Sequence, residues 1–134
     1  MSGPFLILAP LSTLAHWKKS FDDWSYMNSV CYYDEEGKQG REYCRSKEWF
    51  RKDVTQQGTL TEHFKIMKFN VLISSFEVFI QDYETVFQEL PIQHIIIDEA
   101  HRLKNKNAKL LGLLREMICT RVTLLTGTPI QNNL

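Results

Sequence analysis

The sequence has few cysteines, no net charge and no long apolar run. Its 3 cysteines are far apart and form no Cys-x-x-Cys pair, which argues against a zinc site or a disulfide framework and favours reduced, intracellular thiols. No stretch reaches the roughly 18 to 20 apolar residues that a membrane-spanning helix needs. The first residues also lack the basic segment of a secretory signal. We therefore expect no membrane partner.

The charges balance over the whole chain: 16 lysines and arginines stand against 16 aspartates and glutamates. Domains that bind nucleic acid usually carry a basic excess, so the net charge gives no argument for such a partner. Hydrophobic residues make up 43% and charged residues 24%, proportions that are typical of a globular chain and not of a disordered one. The length of 134 residues suits one domain.

Four short, nearly continuous apolar runs predict β-strands that are buried on both faces of a parallel sheet. These runs lie at residues 5–9, 69–73, 95–97 and 122–125. Apolar residues at helical spacing separate them, over residues 14–24, 79–90 and 110–118. A further helix is predicted around residues 41–52, with a surface excursion after it. Strands that alternate with helices indicate βαβ units and an α/β fold of three layers, α/β/α, around a mainly parallel sheet.

Polar or turn-forming residues follow each predicted strand, at residues 10–13, 74–75, 98–101 and 126–129. In open sheets of this kind, ligands bind beyond the carboxyl ends of the strands. Because the carboxyl ends of parallel strands meet at one edge, we expect these four segments to converge there. A functional site is therefore predicted at this edge.

Asp98 and Glu99 come directly after the third apolar run. Such a strand can aim its first carboxylate at a magnesium ion on nucleotide phosphates, while the second carboxylate orients or deprotonates the attacking water. Taken alone, the pattern more often marks an acidic turn in which Asp98 caps the next segment. His101 alone is more typical of a hydrogen-bonded surface histidine than of a catalyst or a metal ligand.

A second polar segment, Thr126, Gly127 and Thr128, follows the last apolar run. Glycine allows a positive φ or the close approach of another backbone. The threonine hydroxyls can hydrogen-bond to the acidic segment on the neighbouring strand. By itself this segment also fits a simple turn.

Taken together, four segments resemble the motifs of the Swi/Snf-type chromatin-remodelling ATPases, whose motors belong to the superfamily 2 helicase group. The segments are LAPLSTLAHW at 8–17, ISSFE at 73–77, IDEAHRLKN at 97–105 and LTGTPIQN at 125–132. Their order and spacing extend the resemblance over nearly the whole chain. REY at 41–43 and KEWF at 47–50, with the excursion after them, are most similar to the chromodomain-helicase-DNA-binding (CHD) branch.

The resemblance implies a RecA-like lobe of the P-loop NTPase fold, with ATP and Mg²⁺ as cofactors. Asp98 resembles the aspartate that holds the magnesium ion, through water, and Glu99 resembles the residue that activates the hydrolytic water. His101 and the segment of Thr126, Gly127 and Thr128 resemble the elements that couple the nucleotide state to DNA contact. The implied DNA-binding residues are Pro10, Ser12, Thr13, Trp17, Ser74, Ser75, Arg102 and Lys104.

No G-x-x-x-x-G-K-[ST] phosphate loop occurs in the sequence, and nothing corresponds to the second motor lobe or its arginine finger. We therefore expect residues 1–134 to be part of the first RecA-like lobe, and we expect this piece alone not to hydrolyse ATP. We also expect an exposed apolar sheet edge where the strand of the phosphate loop belongs.

For the parent protein, the resemblance implies a nuclear, ATP-dependent DNA translocase that remodels nucleosomes. Its implied partners are double-stranded DNA, nucleosomes with their histones, and the second RecA-like lobe. One alternative is a DEAH-box RNA helicase lobe, although those usually carry a Ser-Ala-Thr motif where this chain has Thr126 to Thr128. The other is a non-catalytic scaffold or nucleic-acid-binding module, against which the intact Asp98 and Glu99 argue.

Overall fold

A computed structural model describes residues 3–33, 37–45, 49, 67–103, 108–117 and 121–127. In this part of the chain, five strands form one parallel sheet in the order β2-β3-β1-β4-β5. The strands are β1 (Phe5–Leu8), β2 (Ser29–Cys31), β3 (Val71–Ser74), β4 (His94–Ile97) and β5 (Arg121–Leu124). The helices described are α1 (Leu14–Trp24), α2 (Lys38–Cys44), α3 (Phe76–Gln81) and α4 (Ala108–Glu116), with short 3₁₀ turns at Leu11–Thr13, Phe87–Glu89 and Ala100–Arg102. The predicted α/β fold with a parallel sheet is confirmed.

The central strands are buried on both faces because each face is covered by helices. On one face, Leu6 and Leu72 belong to an apolar cluster that also holds Phe79 of α3 and Leu110 of α4. On the other face, the cluster around Ile7 packs against α1. These two clusters give the three layers that the alternation of strands and helices predicts.

Helix α1 places a narrow apolar stripe on the sheet. Leu14 is buried, and Trp17 and Phe21 pack against the same cluster. Trp24, which the spacing predicts on this stripe, is instead 89% exposed. The helix ends at this residue, where the Ser25 backbone turns to an extended conformation and its N–H donates to the Phe21 carbonyl at 3.0 Å.

Two elements differ from the predicted pattern. The strand β2 was not predicted, and it has only three residues. The helix predicted over residues 79–90 is shorter: α3 ends at Gln81, and a separate 3₁₀ turn covers Phe87–Glu89. Asp82 follows α3, and its carboxylate accepts a hydrogen bond from the buried Arg41. The predicted excursion after residue 52 lies outside the described residues.

Strand β5 is an edge strand of the described sheet, and it is largely exposed. Val122 is 50% exposed, Leu124 is 53% exposed, and Leu125 after them is 38% exposed. The described sheet thus has an exposed apolar edge at β5, whereas the place of a phosphate-loop strand beside it stays a prediction. Unpaired edge strands with apolar side chains are templates for pairing with another chain.

We therefore expect the 134-residue chain to self-associate as its concentration rises. The double variant Val122→Lys with Leu124→Lys should remain monomeric at concentrations where the parent chain associates, because like charges on an edge strand oppose pairing. Static light scattering over a dilution series measures this. Tyr26→Lys is the matched control, since Tyr26 is fully exposed but lies away from β5. A parent chain that is strictly monomeric at high concentration would contradict the prediction.

Candidate functional site

The carboxyl ends of four strands meet at one edge of the sheet, as predicted. Leu8 at the end of β1 pairs with Ser74 of β3 and with Ile97 of β4, and Ile97 pairs with Leu124 of β5. Backbone hydrogen bonds extend these pairings past the strands: the Asp98 N–H donates to the Leu8 carbonyl at 2.8 Å. The candidate segments therefore converge on a single edge.

Asp98 is held by two donors, one for each carboxylate oxygen. The backbone N–H of Glu99 donates to Oδ1 at 2.9 Å. The indole Nε1–H of Trp17 donates to Oδ2, also at 2.9 Å, from a residue 81 positions earlier in the chain. The carboxylate is half-buried, and these two bonds fix its orientation. The bond to the Glu99 N–H joins adjacent residues, and the 3₁₀ turn that follows has Glu99 as its N-cap, without a side-chain cap.

Glu99 has a left-handed backbone, with φ 53° and ψ 42°. This conformation is uncommon for a residue with a side chain, and such local strain is concentrated at functional sites. Within the described residues, the Glu99 carboxylate accepts no backbone hydrogen bond and faces His101 instead, whereas each oxygen of Asp98 accepts a hydrogen bond. The two adjacent carboxylates therefore have different surroundings.

His101 joins the acidic segment to the segment after β5. Its Nδ1 lies 3.2 Å from Oε2 of Glu99 and 3.2 Å from Oγ1 of Thr126. This is the predicted contact between a threonine hydroxyl and the acidic segment. Because one ring nitrogen faces both groups, the histidine tautomer decides whether Nδ1 donates to the carboxylate or accepts from the hydroxyl.

Gly127 uses neither of the two freedoms that a glycine allows. Its φ is not positive, and among the described residues other than its chain neighbours no heavy atom lies within 4 Å of the position that a Cβ would take. Its role in coupling nucleotide to DNA stays a prediction. Thr128 and Lys104 lie outside the described residues.

The segment between β1 and α1 presents one free hydroxyl. Ser12 is exposed and makes no hydrogen bond within the described residues. The Thr13 hydroxyl donates to the Pro10 carbonyl at 2.9 Å, and Pro10 itself is buried. The backbone N–H groups that lead into α1 are bonded internally: Thr13 donates to the Pro10 carbonyl and Leu14 donates to the Leu11 carbonyl. Of the implied DNA-binding residues here, Ser12 is open to solvent.

Ser74 and Ser75 are buried, with 0% and 1% of their surfaces exposed. The Ser74 hydroxyl donates to the Tyr32 carbonyl at 2.9 Å. The Ser75 hydroxyl caps α3 by accepting the Val78 N–H at 3.2 Å. Both side chains thus shape the segment after β3. A direct contact of either hydroxyl with DNA stays a prediction, as does a contact by Arg102, which is exposed at the end of its 3₁₀ turn.

The residues present fit a magnesium ion in the chemistry of their donors. Mg²⁺ prefers hard oxygen ligands and commonly takes one or two carboxylates, with water and substrate phosphates completing its shell. Asp98 offers such oxygens in a fixed orientation at the carboxyl edge of the sheet.

The full sequence, residues 1–134, matches the family model described as the SNF2-related domain. The chain belongs to the SNF2-related family. Human chromodomain-helicase-DNA-binding protein 8 is 41% identical over 130 residues, which are 97% of this chain and 5% of that protein. Mouse chromodomain-helicase-DNA-binding protein 6 is 42% identical over 132 residues, 98% of this chain and 5% of that protein. The predicted resemblance to the Swi/Snf type and to its CHD branch is confirmed.

A solved structure supports the fold of this SNF2-related chain. The Sulfolobus solfataricus SWI2/SNF2 ATPase core in complex with dsDNA matches it with a TM-score of 0.69 at 22% identity, covering 98% of this chain and 23% of that one. The chain therefore has the fold of a RecA-like lobe. It spans about 5% of the length of the curated relatives it matches. No helix among the described residues has both the length and the apolarity that crossing a membrane requires.

A buried polar network in this SNF2-related chain has no signature in the sequence. Asp82 accepts hydrogen bonds from Arg41 Nε at 2.8 Å, from its terminal nitrogen at 3.2 Å, and from the Tyr32 hydroxyl at 2.7 Å. Burial disfavours the charged form of Asp82, but the hydrogen bonds from Arg41 and Tyr32 outweigh it, so the pKa of Asp82 is lowered. Burial and the same carboxylate raise the pKa of Tyr32 well above its usual value.

This network connects to the carboxyl edge of the sheet. Tyr32, whose carbonyl accepts the Ser74 hydroxyl, also binds Asp82 through its own hydroxyl. Arg41 belongs to α2 and Asp82 follows α3, so three separate segments are locked together. Arg41 and Tyr32 lie 41 and 50 positions before Asp82 in the sequence, and only the folded chain brings the three residues into contact.

Proposed function

We propose that the chain is part of the ATP-hydrolysing motor of a nuclear DNA translocase that remodels nucleosomes. Membership of the SNF2-related family and the similarity to chromodomain-helicase-DNA-binding proteins support this function and the nuclear location. Within that motor, residues 1–134 form part of the first RecA-like lobe, which faces a second one. The observation that carries the proposal is the linked set of Asp98, Glu99, His101 and Thr126 at one sheet edge.

The two carboxylates divide the chemistry between them. Bound Mg·ATP supplies a γ-phosphoryl group, whose transfer to water depends on positioning and on neutralising the developing charge. Asp98, fixed by its two donors, would hold the magnesium ion. Glu99 would orient the attacking water and take up its proton.

His101 transmits the state of the nucleotide to the segment after β5. Its Nδ1 faces Glu99 and Thr126 at equal distances, so a change in the charge around Glu99 changes which partner it bonds. Thr126, Gly127 and Thr128 then carry that change towards the bound DNA. This coupling needs no large movement, because the same nitrogen of His101 faces both Glu99 and Thr126.

Duplex DNA lies along the same edge, held through its phosphates. Ser12 offers a hydroxyl in the turn before α1, while Arg102 and Lys104 supply positive charge. Pro10, Thr13, Ser74 and Ser75 hold these segments in shape. A chain with zero net charge can bind DNA in this way, since a few placed groups act locally and acidic residues elsewhere balance the total.

The test is the ATP turnover of the full-length protein with double-stranded DNA, nucleosomes or RNA added in turn. We expect DNA and nucleosomes to raise the turnover several-fold, and we expect the 134-residue chain alone to give none above background. Stimulation by RNA and not by DNA would favour an RNA helicase. An absence of turnover in the full-length protein, with DNA binding retained, would favour a scaffold.

A further inference from the structure

The indole N–H of Trp17 donates its hydrogen bond to Asp98, the candidate magnesium ligand. Tryptophan has a single N–H and no acceptor, and here the N–H bonds to Oδ2 of Asp98 at 2.9 Å. A half-buried indole N–H usually finds an acceptor, but most acceptors are backbone carbonyls, which are also present at this edge. The acceptor used here is instead a carboxylate, which makes the bond charge-assisted and stronger than a neutral one.

Packing alone does not account for this arrangement. The Trp17 ring stacks on Phe21, with ring centroids 6.2 Å apart and 28° between the planes. A phenyl ring at position 17 would keep that stack. Packing therefore explains why an aromatic ring is present, whereas the hydrogen bond to Asp98 requires an indole in this orientation.

Trp17 also connects two candidate segments that are far apart in the sequence. It lies in the first turns of α1, directly after the Leu11–Thr13 turn, which carries the exposed Ser12. The backbone of Asp98 is bound to Leu8 of β1 at 2.8 Å and so moves with the sheet. A shift of α1 relative to the sheet therefore moves the Trp17 indole and changes its hydrogen bond to the Asp98 carboxylate.

We propose that Trp17 is a positioning residue that orients Asp98 for the magnesium ion and transmits the binding of duplex DNA at the start of α1 to that ion. This inference rests on the proposed function. The direct result of losing the N–H is a carboxylate that is held by the Glu99 N–H alone. Groups that orient a metal ligand typically change metal affinity by about 10- to 100-fold when they are removed.

The test uses Trp17→Phe in the full-length protein, with binding of a fluorescent ADP as the readout. The Mg²⁺ concentration at half-maximal nucleotide binding should rise by about 10-fold, at the lower end of the range for such groups. In the wild type, duplex DNA should shift this Mg²⁺ midpoint, and in Trp17→Phe that shift should disappear. Duplex affinity measured without nucleotide should change by a smaller factor than the Mg²⁺ midpoint, because the Trp17 N–H donates to Asp98.

Two controls separate the hydrogen bond from general damage. Trp24→Phe makes the same exchange at the exposed end of the same helix and should leave the Mg²⁺ midpoint unchanged. If Trp17→Phe fails to fold, an isosteric tryptophan analogue with sulfur in place of the ring N–H, placed at position 17, keeps the shape and should reproduce the expected shift.

An unchanged Mg²⁺ midpoint with the isosteric analogue would overturn the inference, and so would a DNA-dependent shift that persists without the N–H. Failure of the proposed function is distinguishable. In that case the wild type itself shows no DNA-stimulated ATP turnover, whatever residue stands at position 17.

Discussion

The substitution Glu99→Gln in the full-length protein is expected to lower ATP turnover by about 10²- to 10⁴-fold, the range that general acid–base catalysis contributes. Glutamine has nearly the shape of glutamate and can take the same left-handed backbone, but its amide does not take up a proton. Binding of Mg·ATP should be retained, because Asp98 and its two donors are untouched. Turnover and nucleotide affinity, measured on the same preparation, separate the two effects.

Glu84→Gln is the matched control for this experiment. Glu84 is exposed and follows α3, on a segment that takes no part in the carboxyl edge. Its turnover should equal that of the wild type. If Glu99→Gln also kept wild-type turnover, the proton of the attacking water would have to go to another group, and the assigned roles of the two carboxylates would be wrong.

The substitution Asp82→Asn is expected to lower the free energy of unfolding by about 3–5 kcal/mol, the range for removing one partner of a buried ion pair. Arg41 and Asp82 are each 7% exposed, so the variant leaves the guanidinium buried without a counter-charge. The Tyr32 hydroxyl also loses its charged acceptor. Urea denaturation of dilute 134-residue chain, followed by circular dichroism, measures the change.

An exposed ion pair in the same chain serves as the control. Lys18 and Asp22 are also paired, at 2.6 Å, but their side chains are 37% and 50% exposed. Asp22→Asn should therefore cost less than about 1 kcal/mol. Equal effects of Asp82→Asn and Asp22→Asn would contradict the importance of the buried network.

The same network predicts a dependence on pH. The pKa of Asp82 is lower in the folded chain than in the unfolded chain, so its ionisation stabilises the fold above the unfolded pKa of about 4. This contribution is lost as the pH falls through the folded pKa. Between neutral and acidic pH, the wild type should thus lose more stability than Asp82→Asn does.

Much of the fold could be predicted because the central strands are short, continuous apolar runs. Burial on both faces makes β1 and residues 71–73 of β3 continuous apolar runs, and that signal is visible in the sequence alone. Strand β2 was not predicted, because its three residues give a much shorter apolar signal than the other strands do. The contacts of Asp82 at the end of α3 could not be predicted either, because its partners lie 41 and 50 positions earlier in the chain.

The candidate site, too, could be predicted from the sequence only in part. Asp98, Glu99 and His101 are neighbours in the sequence, and the contact with Thr126 follows once β4 and β5 are placed side by side. The bond between Trp17 and Asp98 could not be predicted, because it joins residues 81 positions apart and depends on the rotation of α1 about its axis. Helical spacing predicts which face of α1 meets the sheet, but it does not predict the acceptor of one indole N–H.

The central claim is that nucleotide and duplex DNA are coupled through one edge of this sheet. Its most direct test is the affinity of the full-length protein for a non-hydrolysable ATP analogue with Mg²⁺, measured by titration calorimetry with and without double-stranded DNA. We expect the duplex to tighten nucleotide binding by about 5- to 150-fold, the usual range of coupling between sites, and the nucleotide to tighten duplex binding by the same factor. Equal nucleotide affinities with and without the duplex, or the same tightening by RNA alone, would contradict the claim.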